Sequence, residues 1–114
     1  MRYAIYYRTE ISSAHKLDLP YKSKCKRWHG HNYLIEVFIN TNELNESGMI
    51  IDFTILKKIL HRLDHRMLNR FLKQPTAERI AGHFCKLIKA ECDPEAEVKV
   101  RVWEDKDSYA EASL

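Results

Sequence analysis

The sequence has no apolar run near the roughly 20 residues that cross a bilayer, so no segment of it reads as a membrane-spanning helix. Its start, Met1-Arg2-Tyr3-Ala4-Ile5-Tyr6-Tyr7-Arg8, is too short and too charged for a signal peptide. The expected location is therefore cytoplasmic, with no membrane partner. No internal repeat, linker or low-complexity stretch divides the chain. Its 114 residues are expected to form one domain, 1–114, around one core. Cysteine is scarce: Cys25, Cys85 and Cys92. An odd count without a signal peptide argues against a disulfide framework. Charge of one sign is also lacking, since the formal net charge is only +3. That is too little to argue for a nucleic-acid partner.

What is present is an ordinary globular composition, 45% hydrophobic and 31% charged. From Arg2 to about Ile11, Tyr3, Ile5, Tyr7 and Thr9 share one face of a strand, which continues through Ser12-Ser13-Ala14-His15. Pro20 opens a polar, basic loop. A second strand is expected from about His29 to Thr41, with Tyr33, Ile35, Val37 and Ile39 in phase. Asn42 to Gly48 is a turn. Asp52 suits a helix N-cap, and Leu56, Ile59, Leu60 and Leu63 follow one helical face, stopping near Asp64. A second helix starts around Pro75-Thr76, carries Ile80, Ala81, Phe84, Leu87 and Ile88, and ends by Asp93-Pro94. Cys85 reads as core packing. Glu97 to Glu104 alternates cleanly, and a short strand runs from Ser108 to about Ser113. The order β-β-α-α-β-β gives an α+β class: an antiparallel four-stranded sheet with two helices on one face. Such a sheet leaves its second face and its edges to be covered, and oligomerisation is the usual remedy.

The chemistry concentrates in Cys25-Lys26-Arg27-Trp28-His29-Gly30-His31. On a strand, His29 and His31 project from the same face, about 7 Å apart. His15 ends the preceding strand, which in an antiparallel pair lies beside the start of the second. Three neutral imidazoles suit Zn²⁺ and leave a fourth position open. Two other readings stand beside this one. The histidines can be unligated, or Cys25 can complete a closed CysHis₃ site. All three histidines fall in phase with apolar strand residues, so the metal lies at the edge of the helix-covered face or bulges shift the phase.

Lys24, Lys26 and Arg27 flank Cys25 and favour a thiolate. With Lys16 and Lys22 they form a basic cluster, read either as a solvated loop or as an anion site for phosphates. Asp64-His65 is either a helix end that welcomes an imidazole or an acid–base pair. His61 and His83 are given no role. Glu104 is either an exposed strand-end carboxylate or one facing a pocket, able to accept two N–H donors.

Taken in order, Ser12-Ser13-Ala14-His15, Cys25-x₃-His29-Gly30-His31, Gly48-Met49-Ile50-Ile51-Asp52-Phe53, Leu63-Asp64-His65-Arg66-Met67-Leu68-Asn69, Pro75-Thr76-Ala77-Glu78 and Val102-Trp103-Glu104 closely resemble the 6-pyruvoyltetrahydropterin synthase family. That family includes the 6-carboxytetrahydropterin synthases of queuosine biosynthesis. The resemblance implies a tunnelling fold, in which sheets of several subunits close a barrel, as a homohexamer of two trimers with active sites between subunits. It implies that His15, His29 and His31 hold zinc, that Cys25 is the catalytic thiol and that Asp64 and His65 form the proton relay. It implies that Glu104 anchors the pyrimidine edge of a pterin, with Thr76 and Glu78 helping to hold the ring. The implied substrate is 7,8-dihydroneopterin triphosphate. The short Cys25-to-His29 spacing and short chain look more like the carboxy branch, which releases triphosphate and acetaldehyde, than the pyruvoyl branch, which eliminates triphosphate only. A rival of another class is a zinc-stabilised polyanion-binding module with Cys25 as a structural ligand.

Overall fold

The computed structural model describes residues 1–114. Its strands and helices run β1 (Tyr3–His15), β2 (His29–Thr41), α1 (Phe53–His61), α2 (Ala77–Lys89), β3 (Glu97–Trp103) and β4 (Tyr109–Ser113). All strand pairs are antiparallel and the sheet order is β1-β2-β3-β4. The class and element order match the expectation from sequence.

Alternation explains which face each strand buries. Ile11, Tyr33, Ile35, Val37, Ile39, Val98, Val100 and Val102 all point to the helix-covered side and are essentially inaccessible. A strand with β-branched residues at every second position has only that face to bury. The helices meet it with Leu56, Ile59 and Leu60 from α1 and Ile80, Ala81, Phe84, Cys85 and Ile88 from α2. α2 lies against β3 and β4, and α1 lies nearer β1. Cys85 is thus core packing, and all three cysteines are free thiols.

The helix starts follow from their caps. The Asp52 carboxylate accepts from the Thr54 N–H at 2.8 Å, and the Thr76 hydroxyl accepts from the Arg79 N–H at 3.2 Å. The ends come earlier than apolar spacing suggests. α1 stops at His61, so Leu63 is buried from the turn beyond it, and α2 stops at Lys89, before Asp93-Pro94. β3 ends at Trp103, which leaves Glu104 one residue past the strand. No helix is long and apolar enough to cross a membrane.

β1 and β2 pair without a slip from Tyr3↔Thr41 to His15↔His29. No bulge intervenes, so the phase question raised by the histidines has one answer: all three stay on the helix-covered face, at its open end. The outer edge of β1 is partly covered by 65–67. Ala14 bridges Met67 in parallel, and the His65 N–H donates to the Ser12 carbonyl at 2.6 Å.

The other sheet face carries a mixed aromatic and charged patch. Glu36 accepts from both the Tyr6 hydroxyl and the Trp103 indole N–H. Arg101 lies 4.8 Å from the ring centres of Phe38 and Tyr109.

Candidate metal centre and active site

The register places His15 opposite His29, and Ser13 opposite His31. Two strand ends thus deliver three imidazoles to one spot. One ligand nitrogen from each lies within 4.8 Å of the others. Ring centres are 4.4 Å apart for His15–His29, 5.1 Å for His15–His31 and 4.9 Å for His29–His31.

Two of the rings are held by main-chain carbonyls. His15 Nδ1 lies 2.7 Å from the Pro75 carbonyl oxygen and His29 Nδ1 lies 2.8 Å from that of Arg27. A carbonyl can only accept, so each Nδ1 donates, and each Nε2 is left with its lone pair. For His15, 1% exposed, Nε2 is buried and has no hydrogen-bond partner. A buried, unpartnered imidazole nitrogen costs free energy unless something binds it. Burial also pushes the His15 imidazole below its ordinary pKa, and the neighbouring His29 and His31 rings act in the same direction. Neutral imidazoles oriented through Nδ1–H···O=C bonds are what a divalent cation of the zinc type requires. The residues fit such an ion. Cys25 is not a member of this cluster.

Tyr33, in phase with the core residues of its strand, also belongs to this centre. Its ring stands edge-on to His15 at 5.9 Å and to His31 at 5.3 Å, and its buried hydroxyl has no partner. Burial and then the Glu104 charge push its pKa upward. The signal was available, since Tyr33 follows His31 by two residues on the same strand face.

Glu104 leaves β3 on the side of the helices. It lines a cavity of about 310 Å³ together with Thr76, Glu78, Leu17 and Tyr109. The three side chains singled out for ligand binding therefore share one pocket. That pocket adjoins the imidazoles. His15 bonds to the carbonyl immediately before Thr76, and the Glu104 charge reaches both His15 and Tyr33.

Cys25 sits half-buried on a 3-10 turn, Lys24–Lys26. The turn is fixed at both ends: the Ser23 hydroxyl accepts from the Cys25 N–H at 3.1 Å, and the Cys25 carbonyl accepts from the Leu17 N–H at 2.9 Å.

Asp64 and His65 lie at the outer edge of β1. Asp64 Oδ1 accepts from the Ser12 N–H at 2.9 Å, and this bond holds its carboxyl below the usual range, with the His65 and His61 imidazoles adding to it. His65 Nε2 is 3.8 Å from Asp64 Oδ1, and its ring is largely exposed. His65 has φ +55°, a left-handed conformation that a β-carbon disfavours. It lines a second cavity, about 480 Å³, at the end of the sheet with Ser12, Ser13, Gly30, His31 and Arg66, so this cavity too touches one of the three imidazoles. The two cavities share no lining residue. Within one chain, Asp64 and His65 are not brought into the Glu104 cavity. His61, given no role from sequence, flanks Asp64: its Nδ1 is 3.6 Å from Oδ2 and its Nε2 is 2.9 Å from the Thr9 hydroxyl.

Comparison with known proteins gives a consistent picture. The family model described as 6-pyruvoyl tetrahydropterin synthase matches residues 4–113. A Pyrococcus horikoshii protein that carries the provisional name 6-carboxy-5,6,7,8-tetrahydropterin synthase is 39% identical over 149 aligned positions, covering 100% of this chain and 94% of that one. A Pyrococcus furiosus protein named dihydroneopterin monophosphate aldolase is 30% identical over 109 positions, covering 91% of each. The solved structure of Caenorhabditis elegans 6-pyruvoyl tetrahydropterin synthase superposes with a TM-score of 0.77 at 23% identity, covering 100% of this chain and 96% of that one, which establishes the shared fold.

Proposed function

The chain belongs to the 6-pyruvoyl tetrahydropterin synthase family, enzymes of pterin metabolism, and on that premise we propose that it converts 7,8-dihydroneopterin triphosphate to 6-carboxy-5,6,7,8-tetrahydropterin. One water is consumed, which supplies the second carboxyl oxygen, and triphosphate and acetaldehyde are the other products. The observation that carries this reading is the buried, unpartnered Nε2 of His15 beside the cavity lined by Glu104, Thr76 and Glu78. A metal centre and an acidic pocket that meet at one wall suit a reduced pterin whose side chain must be activated.

His15, His29 and His31 would hold a zinc ion. Bound there, zinc supplies Lewis-acid polarisation of the substrate's side-chain oxygens. The remaining work falls to the chain's own groups. The Glu104 carboxylate accepts two hydrogen bonds from the 2-amino pyrimidine edge and so fixes the ring. Thr76 and Glu78, at the start of α2, border the same ring. The Cys25 thiolate removes a proton from the side chain. Asp64 orients His65, whose imidazole passes a proton at another substrate atom. The Pro75 and Arg27 carbonyls keep His15 and His29 in the tautomer that leaves Nε2 available.

The assembly in this reading is a cytoplasmic homohexamer of two trimers, with active sites between subunits. Two features support it. The aromatic patch on the open sheet face needs cover, and Asp64 and His65 stand apart from the Glu104 cavity of their own chain. A second copy has to bring the relay to the ring.

A second outcome has a specific reason behind it. The relative named dihydroneopterin monophosphate aldolase aligns over nine-tenths of this chain, so release of the side chain as an aldehyde competes with the pyruvoyl and carboxy products. The test of the residue roles is Cys25→Ala, assayed for both zinc content and turnover. Full zinc with turnover lost supports the reading. Loss of zinc together with folding would make Cys25 a ligand and sink it.

A further inference from the structure

We propose that the cleft rimmed by Lys16, Lys26 and Lys73 is a binding site for a chain of phosphates, and that it holds the triphosphate of the substrate; the second half rests on the function proposed above. The cleft encloses about 640 Å³ and its lining includes three ammonium groups against one carboxylate, Asp18. Sequence alone groups Lys16 and Lys26 with Lys22, Lys24 and Arg27. The structure selects two of these and adds Lys73, from a distant part of the chain.

A solvated basic loop would be expected to be loosely held, and this one is not. Residues 16–18 run on from β1 beyond its last partner on β2. Their main-chain groups are paired instead by two side-chain amides. Asn69 Oδ1 accepts from the Lys16 N–H at 3.0 Å while its Nδ2 donates to the Lys16 carbonyl at 2.9 Å. Gln74 Oε1 accepts from the Asp18 N–H at 2.9 Å while its Nε2 donates to the Asp18 carbonyl at 2.7 Å. Each amide copies both bonds of a β-ladder, so the cleft wall is as fixed as a strand. Gln74 carries this out at φ +50°, a left-handed conformation that a β-carbon disfavours. The bond from the Leu17 N–H to the Cys25 carbonyl ties in the loop that carries Lys26. Two long connections are thereby locked at the place where like charges gather. Gathering them works against folding unless an anion answers them.

The position suits the substrate. Leu17 lines both this cleft and the Glu104 cavity, so a ligand with its ring at Glu104 reaches the lysines across one residue. His15 precedes Lys16 in the chain and bonds to the carbonyl of Pro75, which lies between Gln74 of this cleft and Thr76 of the Glu104 cavity. Lysine binds phosphate as a point charge rather than through a bidentate fork, so affinity should rise with the number of phosphates. Lys16 Nζ rests 5.1 Å from the centre of the Trp28 ring, which holds an ammonium beside the cleft before any ligand arrives.

The test is calorimetric titration of the zinc-loaded protein with inorganic triphosphate and with orthophosphate, for the wild type, Lys16→Met/Lys73→Met and the surface control Lys57→Met. Triphosphate is expected to bind at least tenfold tighter than orthophosphate. The double variant should weaken it at least tenfold and raise KM for dihydroneopterin triphosphate with kcat little changed, while melting like the wild type. Lys16→Gln/Lys73→Gln should repeat the result, which guards against a folding defect in the first pair. Unchanged triphosphate affinity in both pairs, or equal affinity for the two anions, overturns the inference. Weakened triphosphate binding in a protein that never turns over the pterin would leave the phosphate site standing and remove the function instead.

Discussion

Replacing His15 with leucine should leave metal-free stability within about 2 kcal/mol of the wild type and abolish stabilisation by zinc. His15 is 1% exposed and makes one hydrogen bond, to the Pro75 carbonyl. Losing that bond strands a buried acceptor, which costs about 1–3 kcal/mol. The same substitution removes the unpartnered Nε2 and its desolvation penalty, again about 1–3 kcal/mol. Leucine nearly conserves volume, so the ~2–5 kcal/mol cost of truncating a buried side chain does not arise. The two effects oppose each other and cancel to within about 2 kcal/mol, or roughly 8 °C in Tm for a chain of this size. Zinc at 100 times its Kd adds about 2.7 kcal/mol to the wild type. That corresponds to a rise of roughly 10 °C. Thermal unfolding after chelation, and again after zinc is restored, reads both quantities. A metal-free loss well above ~2 kcal/mol would mean that Nε2 is already satisfied within the chain. A zinc shift that survives in His15→Leu would put the ion elsewhere.

Metal-free stability should fall as pH drops below about 6.5. His15 and His83 are both held below their ordinary values by burial, so the unfolded chain takes up protons first and stability is lost as pH falls from the unfolded toward the folded value. Urea midpoints at pH 7.5 and 5.5 test the sign, and a higher midpoint at pH 5.5 would contradict it. At position 65, φ +55° predicts that His65→Gly is more stable than His65→Ala by about 1 kcal/mol, although both lose turnover. Chemical denaturation of the two variants decides this, and equal stability would refute it. Asp64→Asn keeps an oxygen for the Ser12 N–H, so it should fold within about 1 kcal/mol of the wild type while kcat falls about 10²-fold or more. A kcat that stays near the wild-type value would remove Asp64 from the relay.

The strands were legible because one face of each is apolar at every second residue. The antiparallel meeting of His15 with His29 and His31 followed from two strand ends and one connecting loop. The phase of those histidines was not legible, because a single bulge anywhere in thirteen pairs would have reversed it. Thr76 and Asp52 were readable as caps, since capping depends on residues two or three positions away. Contacts between distant segments were not readable. The amide clamps of Asn69 on Lys16 and Gln74 on Asp18, the carbonyl of Pro75 on His15 and the addition of 65–67 to the edge of β1 join segments with no local pattern between them. The contact of His61 with Thr9 was not readable because the two meet only in the folded chain, whereas its pairing with Asp64, three residues on, is local. Short length pointed to the carboxy branch, yet the provisionally named carboxy relative aligns over 149 positions. Short length is therefore not a mark of that branch.

In the proposed function a three-histidine metal centre and the Glu104 cavity together act on a pterin triphosphate. Mass analysis of products from zinc-loaded protein and 7,8-dihydroneopterin triphosphate, under reducing conditions, tests it directly. The predicted result is release of triphosphate and acetaldehyde with 6-carboxy-5,6,7,8-tetrahydropterin, abolished by a chelator and restored by zinc. Pyruvoylpterin without acetaldehyde would move the protein to the sister reaction, and intact substrate after prolonged incubation would contradict the account.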